Sequence, residues 1–217
     1  MHNLRGQWDE AMSAMKRLPA ALTRNLEIAT KANAITVRDS IKKTIYETDP
    51  RWAPNAPLTI AMKGSSRPLI QHGDFVKNVE VQPLLPGLYF VGWKRGVKNQ
   101  DGIEIVNIAR VLIYGKTIYP KKAKALTLPV SKEAAEAVKT FGGIRKIPGL
   151  FHPRGTRVLA KKQAGGGFET WFIFLPKVII PPRDPVTPGV RHADKRCYRR
   201  WKAAVKASIS GRTYGAT

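Results

Sequence analysis

Four histidines, one cysteine and a short Ser-His-Asp stretch are the side chains of this 217-residue sequence that most invite a chemical reading. His2, His72, His152 and His192 lie far apart, and with Cys197 as the single cysteine they offer no zinc-ligand spacing. Cys197 sits among arginines, which would lower a thiol pKa and favour a nucleophile. Its place on the apolar stripe of a basic helix reads it instead as a small core residue. Ser65, Ser66, His72 and Asp74 could be drawn as an acid–base set, but no oxyanion-hole motif accompanies them. The sequence holds no P-loop, no G-x-G-x-x-G and no H-E-x-x-H run. No catalytic residue, metal ligand or cofactor is expected, and the chain is read as a non-enzyme.

Charge points elsewhere. The sequence carries 38 Lys and Arg against 15 Asp and Glu, a net of +23. Such a charge attracts polyanions and repels like copies. Residues 1–104 hold 15 basic and 10 acidic residues, whereas residues 105–217 hold 23 and 5, so the second half owns the excess. Basic residues alternate with aromatics at Lys121, Lys122 and Lys124, near Tyr119, and at Lys195, Arg196, Arg199, Arg200 and Lys202, around Tyr198 and Trp201. These eight cations are the candidate partner or polyanion-binding residues. Nucleic acid and an acidic protein surface both fit them, since phosphate neutralisation needs only positive charge and stacking aromatics add sequence-tolerant affinity. No RNP, KH or zinc-finger pattern selects between the two.

The elements that must position these residues follow from periodicity. Residues 7–17 suit a short helix that Pro19 interrupts. From about Ala20 to Tyr46 there is no Gly or Pro, and Leu22, Leu26, Ala34, Val37, Ile41 and Ile45 fall mainly three and four apart, which predicts a long amphipathic helix ending before Pro50. Residues 49–73 read as an extended loop pinned by Trp52 and Leu58. From Phe75 the pattern is strand-like, with strands predicted at 79–85, 87–93 and 102–115 and a loop at 94–101. A strand at 125–130, a helix capped by Ser131, a turn-rich stretch at 142–156 and a hairpin of 157–162 with 168–180 complete the middle. A proline-rich bridge then leads to a basic helix with Cys197, Trp201, Val205 and Ile209 on its apolar stripe. The expected fold is α+β: an antiparallel sheet or half-barrel packed by a long N-terminal helix and a shorter one, with a basic C-terminal helix. The expected partition is a body at 1–183 and a bridge plus helix at 184–217.

A hydrophobic content of 43% supports a packed core. The single cysteine excludes an internal disulfide and suits a reducing compartment. No apolar run approaches the ~18–20 residues that span a bilayer, and the first residues, with Asp9 and Glu10, do not read as a secretion signal. Assembly in a cytoplasm, away from membranes, is expected.

An ordered set of short motifs gives a more specific lead. Trp52 is followed by Lys63 and by Pro68, Leu69, Ile70, Gly73 and Phe75 entering the strands. Val111–Gly115, the lysine-rich Lys121–Pro129 segment and the corner Ile180, Pro181, Pro182, Arg183 come later, in that order. Together they resemble the phage virion morphogenesis and tail completion family. His72 and Phe75 stand where members often have Thr and Leu, and the 131–156 insertion and basic C-terminal helix exceed the minimal pattern. The resemblance implies a structural neck component of a tailed-phage virion, a ring, as a hexamer, that completes the tail or joins it to the head. Implied partners are further copies of itself, adjacent neck, connector or tail-tube proteins, and genomic DNA in the lumen. A tail terminator or minor capsid component is the alternative within the phage setting, and a basic nucleic-acid-binding protein the alternative outside it.

Overall fold

The structure, a computed structural model, describes residues 4–70, 73–100, 102–163 and 165–215. Gln71, His2, His72 and Asp101 lie outside them. The chain forms an α+β fold whose strands pair antiparallel throughout the described residues. The pairing is divided among three separate sheets of two, two and four strands rather than gathered into one. Two compact units result: residues 1–49, 73–107 and 184–217 in one, and residues 50–72 and 108–183 in the other. The C-terminal residues 184–217 belong to the same unit as the long N-terminal helix.

In the first unit the N-terminal helix α1 runs unbroken from Leu4 to Glu47, 44 residues or about 66 Å. The expected break at Pro19 does not occur. Proline fits helical φ, and although it loses the bond its missing N–H would make and its ring crowds the carbonyl one turn earlier, the helix continues through it. The Thr23 hydroxyl donates to the Pro19 carbonyl at 3.0 Å. The C-terminal helix α6, Val186–Ile209, packs along α1. Asp184 opens it by accepting from the Val186 and Thr187 N–H groups at 2.8 and 3.3 Å. The helices run antiparallel: Gly189 meets Ile41, the Cys197 carbonyl meets Asn33, and Ser208 meets Asn25. The hairpin β1 (Val79–Leu85) with β2 (Leu88–Trp93) also packs on α1. Ile41, Ile45, Val76 and Val79 are buried in this unit, and Phe75 stacks on Trp93 with centroids 4.5 Å apart.

Two strand readings give way to helix here. Phe75 lies in a single helical turn, α3 (Asp74–Lys77), because Gly73 at φ +80° reverses the chain before the strand begins at Val79. Residues Ile105–Tyr114 form helix α4 instead of a strand. Ile105 and Ala109 are buried and Ile108 and Leu112 half-buried, a spacing of three and four, while Asn107 and Arg110 face solvent. The helical period outweighs the β-branched composition.

In the second unit, the loop expected at 49–73 contains a short helix, α2 (Pro57–Lys63), with proline at its first position. Strands β3 (Lys116–Ile118) and β8 (Val178–Ile180) make a two-stranded sheet. The four-stranded sheet is β4 (Leu126–Pro129), β7 (Phe168–Leu175), β6 (Val158–Lys162) and β5 (Leu150–Phe151), in that spatial order. Helix α5 (Lys132–Phe141) begins as expected, the Ser131 hydroxyl accepting from Ala134 N–H at 3.1 Å. Ala134, Ile147, Trp171 and Phe172 form the core between helix and sheet.

Candidate interaction surfaces

The α6 surface is built by its packing on α1. Apart from Pro188 in its first turn, the residues it buries are small: Gly189, Ala193, Cys197, Ala204 and Ser208. Asn33 Nδ2 donates to the Cys197 carbonyl at 3.1 Å, and Asn25 Nδ2 donates to Ser208 Oγ at 3.0 Å, so the buried amides of α1 are satisfied by α6. The expected stripe is therefore rotated. Trp201 and Ile209 are exposed, and Trp201 Nε1 donates to Thr30 Oγ1 at 3.1 Å. Spacing of four throughout drifts around a 3.6-residue helix, whereas 193, 197, 200, 204 and 208 stay on one side.

That geometry divides the five candidate cations of α6. Arg200 belongs to the α1 interface. Its Nη1 donates to the Ala32 carbonyl at 3.0 Å, Asn33 Oδ1 at 3.0 Å and Thr36 Oγ1 at 2.8 Å. It is a structural clamp and is not offered to a partner. Lys195, Arg199 and Lys202 lie opposite the buried side, with Arg191 and Lys206 one turn beyond on either side, and all five are exposed. Arg196 is exposed on the flank. Tyr198 stands among them, 64% exposed. The result is a basic ridge about 22 Å long from Arg191 to Lys206. Among the described residues, no carboxylate forms a salt bridge with any of its cations.

Cys197 is buried beneath this ridge, and its thiol pKa is raised. Burial is the main cause and Asp194 adds to it, against the opposing pull of Arg200 and Arg196. Desolvation of the thiolate outweighs the nearby guanidinium charge. We expect the native protein to react with iodoacetamide at pH 7 at least about tenfold more slowly than free cysteine, and at the free rate in denaturant. Equal rates with and without denaturant would show an accessible thiol instead.

In the second unit, Lys121, Lys122 and Lys124 are exposed together on the turn between β3 and β4, with Tyr119 exposed beside them. His152 belongs to the same unit, its Nε2 2.8 Å from the Thr156 carbonyl. Among the described residues, no group of three or more His, Cys, Asp or Glu is placed to hold a metal ion, and no helix is long and apolar enough to cross a membrane.

The motif residues are mostly internal. Arg183 is buried, its Nε donating to the Ala53 carbonyl at 2.9 Å and its Nη2 to the Pro54 carbonyl at 3.0 Å. Asn55 Nδ2 is 3.2 Å from both the Ser66 and Arg67 carbonyls, and Lys63 Nζ donates to Arg67 O at 2.9 Å. Pro68 and Leu69 are buried and Trp52 half-buried on the same loop. Leu69 has φ +63°, uncommon outside glycine and held here by its surroundings. Pro181 is half-buried and Pro182 exposed. Gly73 and Phe75 fall in the first unit, where Trp93 Nε1 donates to the Phe75 carbonyl at 2.8 Å. Gly115, the glycine that ends the Val111–Gly115 motif, has φ +70°, and a Cβ there would lie 2.9 Å from the Ile180 carbonyl and 3.0 Å from Pro182.

The chain matches no family model, no curated protein and no solved structure.

Proposed function

We propose that this chain is a non-catalytic structural component of a tailed-phage virion, a ring-forming neck protein that completes the tail or joins it to the head. The observation that carries the reading is the Arg183 clamp. The proline–arginine corner and the Trp52 loop are about 130 residues apart in sequence, and the guanidinium bonds the two carbonyls that follow Trp52. The residues that carry the resemblance in the second unit thus act as one structural piece. The surface supports an assembly role as well. The tip of the β1–β2 hairpin presents Leu84, Leu85 and Leu88 to solvent, and contiguous exposed apolar surface of that kind is characteristic of protein contacts.

In this reading the α6 ridge docks on an acidic surface of an adjacent neck or tail protein. Lining the channel with it would grip the genome, because phosphate contacts add in affinity. The test is electron microscopy of lysates from a phage lacking the gene, beside one in which Lys195, Arg196, Arg199 and Lys202 are all Glu. Arg200 stays, because reversing it would break the α1–α6 contact. DNA-filled heads beside separate, finished-length tails are expected in both. Intact particles in the deletion would remove the neck role, and tails of uncontrolled length would indicate a terminator.

One observation favours a second reading. Tyr198 stands exposed within the ridge, where a base could stack while the lysines meet phosphates. A nucleic-acid-binding protein of that kind would bind single strands as a free chain, steeply weaker with salt, and would lose the effect on Tyr198→Ala.

A further inference from the structure

From Leu4 to about Ala20, α1 extends past the end of α6. The hydrogen bonds of α6 and its C-terminal turn that lie farthest toward the start of α1 are those of Ser208 with Ala21 and Asn25, and those of Arg212, Thr213 and Tyr214 with Arg24 and Asn25. The 17 residues beyond, about 25 Å of helix, form an arm on which every residue from Trp8 to Arg17 is exposed. Trp8 is 70%, Met12 48% and Met15 66% exposed. An uncovered helix of this length is marginal in water, and Pro19 removes one of its bonds.

The pattern on the arm identifies a cover. Trp8, Met12, Met15, Pro19 and Leu22 are spaced four, three, four and three, the seam of a two-stranded coiled coil. The geometry points to a second copy of the same arm as the occupant, paired antiparallel. In that register Met12 of one chain faces Met15 of the other, and Trp8 faces Pro19. The flanks of the seam then decide the direction. Asp9 and Lys16 occupy the same heptad position, seven apart, so antiparallel pairing places Asp9 of each chain beside Lys16 of the other, twice by symmetry. On the opposite flank the same register brings Ala11 beside Leu18, small against large. A parallel pair would set Lys16 against Ala11 and Asp9 against the position of Leu4, and leave both charges without a partner across the seam. The contact is isologous and closes on itself, so it joins two chains and does not propagate a ring. It stands independently of the neck reading.

The test is light scattering after size exclusion on the whole chain, in about 0.15 M salt to limit the mutual repulsion of two +23 chains. A concentration-dependent species of twice 24.1 kDa is expected. W8E/M15E should be monomeric at all concentrations with an unchanged melting temperature, because the arm lies outside the α1–α6 contact. D9K and K16D should each weaken the dimer about tenfold, and the double swap D9K/K16D should restore it to within about threefold. A monomeric wild type, a dimer that survives W8E/M15E, or a double swap as weak as the singles would overturn the assignment.

Discussion

Gly189→Ala is expected to destabilise the protein by about 2–3 kcal/mol and lower its melting temperature by roughly 5–10 °C, although it puts a better helix former inside a helix. In an exposed helix the same change gains about 1 kcal/mol. At Gly189 the added Cβ would lie 2.7 Å from Ile41 Cγ1, 2.9 Å from Ile41 Cα and 3.0 Å from Ile41 N. A side-chain atom can swing aside, but the backbone of a long helix cannot yield by several tenths of an ångström without parting from its neighbour. The helices would separate at one end, loosening the buried Asn33 and Asn25 hydrogen bonds farther along the same face. Ile41→Ala removes Cγ1 but leaves the backbone clash, so the G189A/I41A pair should recover less than the side-chain overlap alone predicts. Thermal unfolding of the two singles and the double measures this coupling. A melting temperature for Gly189→Ala at or above wild type would mean the α1–α6 approach is looser than described.

The same contact shows what the sequence could and could not reveal. The helical nature of α6 was legible from its charge pattern and period, and so was α5 from Ser131 and the apolar spacing behind it. The buried side of α6 was not, because the large apolar residues Trp201 and Ile209 dominate its hydrophobic pattern and yet are exposed. Close helix approach selects small residues, and beyond Pro188 in the first turn Gly189, Ala193, Cys197, Ala204 and Ser208 are the ones inside. Arg200 falls three residues after Cys197 and four before Ala204, so the small-residue spacing would have placed it in the interface and separated it from Arg199. Residues 105–114 mislead for a related reason: their Ile and Val favour a strand by type, while their spacing of three and four favours the helix they form. Nothing local marked the exposed arm as unpaired, since its apolar seam is continuous with the covered part of α1. Arg183 was singled out by resemblance alone, and its partners, 129 and 130 residues away, have no signature in a single sequence.

Arg183→Ala should cost more than Gly189→Ala, about 3–5 kcal/mol, with a loss of order in the loop from Ala53 to Leu69. The guanidinium reaches two adjacent carbonyls with two different nitrogens, and its backbone N–H donates to the Leu112 carbonyl at 2.6 Å. Truncation leaves the Ala53 and Pro54 carbonyls facing a cavity. Arg183→Lys should recover less than half of the loss, because a single ammonium lacks the planar fork that matches both acceptors. Burial lowers the pKa of Arg183 itself. The pKa of Lys63 is lowered first by its own burial and then by the Arg183 charge. A lysine whose folded pKa lies below its unfolded value penalises folding while charged. That penalty is full below the folded pKa, and stability rises with pH through the window up to the unfolded value near 10.5. Removing the guanidinium removes the smaller of the two causes, so the alkaline rise in stability should shrink in Arg183→Ala without vanishing. Denaturant unfolding of wild type and variant between pH 7 and 10.5 reads both effects together. An unchanged slope with pH would place Lys63 beyond the reach of Arg183, and an unchanged midpoint at pH 7 would remove the clamp.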